Sequence, residues 1–100
     1  MKVLKKIKIE ECLDGVIIKE FLLDDRVNKE FINHLQVFGD LKYYPHFPRP
    51  FFKVTKKNKF IIKGVQGNNT FQVFFTKYSK ELENDIVKKI ICFDEQVSIK

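Results

Sequence analysis

Apolar and polar residues alternate near the start of the chain. Lys6-Ile7-Lys8-Ile9-Glu10 repeats with a period of two, the pattern of a strand with one covered and one wet face. Leu13-Asp14-Gly15 supplies turn chemistry, and residues 16–23 form a more apolar second strand, so an opening hairpin is predicted. The period then changes. Val27, Phe31, Leu35 and Phe38, with Ile32 beside them, form one helical stripe. Asp24 and Asp25 stand where they would cap that helix and favour its positive end, and Gly39 stands where a C-cap glycine belongs.

The segment Tyr43-Tyr44-Pro45-His46-Phe47-Pro48-Arg49-Pro50 cannot be helical, because each proline removes a backbone donor and drives its predecessor towards extended geometry. It reads as a rigid crossover whose Tyr43, Tyr44 and Phe47 pack down on the core. Residues 51–55, 59–65 and 70–76 then read as strands of a β-meander, joined by Lys56-Lys57-Asn58 and Gln66-Gly67-Asn68-Asn69. Ser79 caps a closing helix with Leu82, Ile86, Ile90 and Val87 inward. Glu81, Glu83 and Asp85 occupy its first turns and Lys88 and Lys89 its last, the distribution a helix dipole favours. Val97-Ser98-Ile99 suggests a short edge strand. The predicted order is ββαβββα(β). This is an α+β fold in which an antiparallel sheet of about five strands carries two helices on one face, overlapping a ferredoxin-like sandwich.

One hundred residues suit a single domain spanning 1–100, and a 44% hydrophobic content with eleven Phe supplies one core. No apolar run approaches the roughly 18 residues that cross a bilayer, and the basic N-terminus lacks the apolar stretch of a secretory signal. Cys12 and Cys92 are too few for a disulfide-stapled secreted protein, so free thiols and a cytoplasmic location are expected, with no membrane association.

The formal charge of +6 is weak evidence for an anionic partner, since seventeen of the nineteen basic residues are Lys and only Arg26 and Arg49 offer a bidentate fork. Its distribution says more. Between Leu41 and Lys80 there is no Asp or Glu, while nine basic side chains and ten of the fourteen aromatics fall there. Strand alternation divides this stretch. Phe52, Val54, Phe60, Ile62, Phe71, Val73 and Phe75 share a face suited to packing under helices. Phe51, Lys53, Ile61, Lys63, Gln72 and Phe74 share the other, where rings could stack on bases and ammonium groups neutralise phosphates. This predicts a non-catalytic binding module for an anionic partner, single-stranded nucleic acid leading. Phe51, Lys53, Lys63 and Phe74 form its centre, with Arg49, Lys56, Lys57 and Lys59 as peripheral phosphate contacts.

Two rivals use the same residues. The second sheet face could be covered by the N-terminal hairpin, or it could be a partner-protein or homodimer interface; a small-ligand sensor or enzyme is the third reading. No RNP-type aromatic motif follows Lys63-Gly64-Val65. Pro45-His46-Phe47-Pro48 has PxxP spacing, an unspecific match. His34 lies at the margin of the first helical stripe and reads as a packing histidine. Cys12, His34, His46 and Cys92 lack metal-ligand spacing, and Gly64-Val65-Gln66-Gly67 lacks the pattern of a phosphate loop. No catalytic residue, metal or cofactor is therefore assigned.

Overall fold

The computed structural model describes residues 3–11 and 15–98, with side chains through residue 91. Strands β1 (Val3–Glu11) and β2 (Ile17–Leu23) lead into helix α1 (Lys29–His34), which tightens into a 3-10 turn over Leu35–Phe38. Strands β3 (Asp40–Tyr44), β4 (Phe51–Lys56), β5 (Phe60–Val65) and β6 (Thr70–Phe75) follow, and helix α2 (Lys80–Ser98) closes the chain. The six strands form one sheet in the order β1-β2-β6-β5-β4-β3, with every neighbouring pair antiparallel.

The α+β class and the two helices are as predicted; the strand count is not. The sixth strand is β3, whose five residues run straight into the prolines that suggested an irregular path. Those prolines lie in the loop 45–50, which closes a β3–β4 hairpin through the pair Tyr44 and Phe51, so the segment is no crossover. A ferredoxin-like sandwich needs parallel neighbours made by βαβ crossovers, and this sheet has none. The closing strand also fails. No Gly or Pro interrupts residues 92–98, so α2 continues through Ser98, while Ile99 lies outside the described residues. The turn residues Leu13 and Asp14, Cys12 and the Cys92 side chain also lie outside them. Among the described residues no helix is long and apolar enough to cross a membrane.

Alternation along the strands builds the core. Phe21, Leu23, Phe52, Val54, Phe60, Ile62, Phe71, Val73 and Phe75 are all buried on one side of the sheet. Against them pack Phe31, Ile32, Leu35 and Phe38 from the first helical segment and Ile86 and Ile90 from α2. The rings interlock: Phe21 and Phe71 lie 5.2 Å apart, and Phe38 meets Phe60 edge-on at 5.9 Å.

The first helix starts later than its stripe suggests. Asn28 is its N-cap, with the side chain accepting from the Phe31 amide at 2.8 Å; Asp24 and Asp25 lie further upstream. Val27 is held outside the helix by the 66–69 turn, donating to the Asn68 carbonyl at 2.7 Å and accepting from the Gly67 amide at 2.8 Å. Gly39 ends the segment for a reason other than a left-handed cap. A Cβ there would run into the carbonyl oxygen of Thr55, the cross-strand partner of the next residue, Asp40. Gly39→Ala should therefore cost about 1–3 kcal/mol through overpacking. An unchanged urea midpoint would show that β3 gives way freely.

Ser79 caps α2 as predicted, accepting from the Leu82 amide at 3.1 Å. Glu81 and Glu83 fall in the first turn as predicted, and Glu83 faces inward, only 1% exposed. Lys19 reaches it at 2.6 Å and Lys6 at 3.4 Å, and Lys19 also donates to the Tyr78 hydroxyl at 3.1 Å. Burial alone would push the Glu83 carboxyl up, but the hydrogen bond and charge of Lys19, with Lys6, hold it below the ordinary value. Burial likewise opposes the Lys19 ammonium, yet its bonds to Glu83 and Tyr78 hold it above the usual lysine range. Lys88 and Lys89 lie mid-helix because α2 is longer than predicted. His34 is the packing histidine expected: its Nε2 donates to the Lys89 carbonyl at 2.8 Å, tying α1 to α2.

Candidate functional site

Both helices lie on one side of the sheet, and no described element covers the other. The N-terminal hairpin does not fold over that face. It extends the sheet instead, because β2 pairs edge to edge with β6 through Ile18–Phe74 and Glu20–Gln72. This removes one of the two ways of burying the face that the sequence allowed.

Register sets what the face displays. Lys42 lies directly opposite Lys53, and Lys53 directly opposite Lys63, so three ammonium groups form one file across β3, β4 and β5. Lys63 faces Gln72, Gln72 faces Glu20 and Glu20 faces Ile7, which carries the file to the far edge. At about 4.8 Å per strand, Lys42 and Lys63 stand roughly 10 Å apart at the backbone, and Lys63 and Glu20 the same. Among the described residues none of the three lysines is ion-paired with a carboxylate. Like charges placed directly opposite in a sheet cost stability. Asp40 also belongs to this face, at the β3 edge opposite Thr55.

Rings flank the file on both sides. Phe51 stacks on Tyr44 at 4.6 Å with 24° between planes, and Phe47 leans over Phe51 at 5.0 Å. Phe47 is 53% exposed. Tyr44 and Phe47 thus join the open face rather than packing on the core as predicted, because Tyr44 shares the parity of Lys42 and the proline loop folds Phe47 over the same side. Tyr43 does pack on the core, and its hydroxyl donates to the Gln66 side-chain carbonyl. Across the file, half-buried Phe74 carries the Lys63 ammonium 4.9 Å from its ring centroid. A shallow groove of about 720 Å³ lies on the Phe51 side of the file, lined by Glu20, Tyr44, Phe51, Lys53, Lys63 and Gln72 among others, with Phe74 outside it beyond Lys63.

The four central candidates, Phe51, Lys53, Lys63 and Phe74, therefore share one face, with Ile61 and Gln72 beside them. The peripheral set divides. Arg49 lies at the end of the groove, where it donates to the Asn68 side chain at 2.9 Å. Lys56 shares the parity of Phe52 and Val54 and belongs to the helix side. Lys57 and Lys59 sit in the β4–β5 turn, about 17 Å along the strand from Phe51 and at the opposite end from Arg49. Lys42, Tyr44 and Phe47 were missed as candidates. Asp40-Leu41-Lys42-Tyr43-Tyr44 does alternate, but Tyr43 and Tyr44 read with the prolines, and the three residues left before them are too short a run to signal a strand. Glu20 carried no local signal at all. Among the described residues no cluster of His, Cys, Asp and Glu could hold a metal ion.

Comparison of the chain with protein-family models, curated proteins and solved structures finds no match.

Proposed function

We propose that this chain is a non-catalytic binding module for single-stranded nucleic acid, held on the open sheet face. One observation carries the reading. Lys42, Lys53 and Lys63 stand in a single file across three strands, with no carboxylate partner among the described residues and aromatic rings on both sides. The fold gains nothing from opposed ammonium groups, whereas a polyanion laid along the file would neutralise them. Rings beside a phosphate track offer sequence-tolerant stacking, which distinguishes a nucleic acid from a simple anion. Phe51 and Phe74 supply that stacking, Lys53 and Lys63 with Lys42 the phosphate contacts, and Arg49 closes one end. Lys57 and Lys59 could meet only a longer strand. A cytoplasmic setting accompanies this reading.

The test is fluorescence anisotropy with a labelled single-stranded DNA of about ten nucleotides, at several salt concentrations. Affinity should fall as salt rises, because released counter-ions must be recovered. Phe51→Ala combined with Phe74→Ala should weaken binding by roughly 1–3 kcal/mol per lost stack. Salt-independent binding, or a double variant that binds as well as wild type, would refute the proposal. So would a stable dimer in sedimentation that ignores oligonucleotides, since the same face would then be a protein interface.

A further inference from the structure

Resting on the reading above, we infer that Glu20, with Gln72, reads the amino edge of a bound base, so that the face prefers cytosine to thymine. Glu20 comes from outside the acid-free stretch, yet pairing of β2 with β6 sets it into the groove two strands from Lys63. Among the described residues it forms no ion pair. A carboxylate on a phosphate-binding face repels the backbone of the ligand. It therefore confines phosphates to the Lys42–Lys53–Lys63 end and leaves the β6–β2 end for bases.

That end is equipped for a base. Phe74 is the diagonal neighbour of Glu20 across the β2–β6 pair, and diagonal side chains about 7–8 Å apart remain within reach of one another. The Lys63 ammonium lies over the Phe74 ring, so a phosphate that draws it off the ring uncovers a stacking surface for the base of the same nucleotide. A base on Phe74 turns its edge towards Glu20 and Gln72. The carboxylate can only accept, so it suits the cytosine N4 amino group and opposes the thymine O4 carbonyl, while the Gln72 amide can donate to cytosine N3.

The experiment compares oligo(dC) with oligo(dT) of equal length, pyrimidine tracts that differ at this edge and in the thymine methyl. Wild type should bind oligo(dC) about tenfold tighter, the discrimination of one good edge contact. Glu20→Gln, with folding checked by circular dichroism, should abolish that preference mainly by strengthening oligo(dT) binding. Equal, salt-dependent binding of both tracts by wild type would overturn this inference and leave the nucleic-acid reading standing. A preference that survives Glu20→Gln, or a variant that gains equally on both tracts, would overturn the role of Glu20. Failure of both tracts to bind in a salt-dependent way would overturn the two proposals together.

Discussion

Lys19→Met is expected to destabilise the fold by about 3 kcal/mol, the cost of leaving one member of a buried ion pair without its partner. Glu83 is almost fully enclosed and Lys19 is 18% exposed, while Lys6 is the longer and wetter contact. Lys6 can keep only part of the compensation. The reciprocal change, Glu83→Gln, should cost less, about 1–2 kcal/mol, because a carboxamide still accepts from Lys19 and the ammonium can lean towards water.

The same pair sets a dependence on pH. In the wild type the Glu83 carboxyl is depressed below its unfolded value of about 4.3. Its stabilisation is fully present above that value and lost as pH falls through the depressed one. Lys19 is raised, so its contribution is fully present below about pH 10.4 and lost as pH climbs through the folded value. Between about pH 4.5 and 7 both are intact. In Lys19→Met burial prevails and lifts the Glu83 carboxyl above its unfolded value, reversing the sign, so that stability is lost as pH rises through the new value. The stability gap between variant and wild type should therefore narrow on acidification from about pH 7 towards 4.5. Urea unfolding at each pH reads this directly. A gap that holds constant or widens would mean that Lys6 alone satisfies the carboxylate.

Replacing Lys42, Lys53 and Lys63 together by Gln should abolish most nucleic-acid binding while leaving the fold at least as stable. Three phosphate contacts on a single strand give a salt slope of about −2, which corresponds to roughly fifteenfold weaker binding between about 50 and 200 mM salt. The triple variant should lose that part of the slope and keep only what Arg49 and the turn lysines contribute. Stability should move the other way, by a few tenths of a kcal/mol for each of the two opposed lysine pairs relieved. Anisotropy titrations and urea midpoints on the same preparation check both. Weaker binding without altered stability still fits a phosphate track. An unchanged slope does not, and would reduce the file to solvated surface charge.

Much of the meander was legible before any coordinates. The division of Phe51, Lys53, Ile61, Lys63, Gln72 and Phe74 from Phe52, Val54, Phe60, Ile62, Phe71, Val73 and Phe75 follows from successive side chains pointing to opposite faces, and the burial of the second set agrees with it. The Ser79 cap was equally local. Errors arose where tertiary contacts overrode the local pattern. Val27 belongs to the helical stripe but is pinned to the 66–69 turn, and Gly39 answers to Thr55 across the sheet.

What the amino-acid order determined by itself is the two-sidedness of the meander strands, because the period of a strand is a property of neighbouring residues. Strand β1 alternates too, yet Ile7 and Ile9 stay exposed at the sheet edge, so its expected covered face is not there. Which strands become neighbours is a property of pairs far apart in the chain, and no local signal encodes it. The pairing of β3 with β4 set Lys42 into line with Lys53, and that of β2 with β6 carried Glu20 to Gln72. The packing of α2 against the hairpin joined Lys19 to Glu83, 64 residues away. Alternation loads a face with chemistry; register and packing decide which charges meet on it.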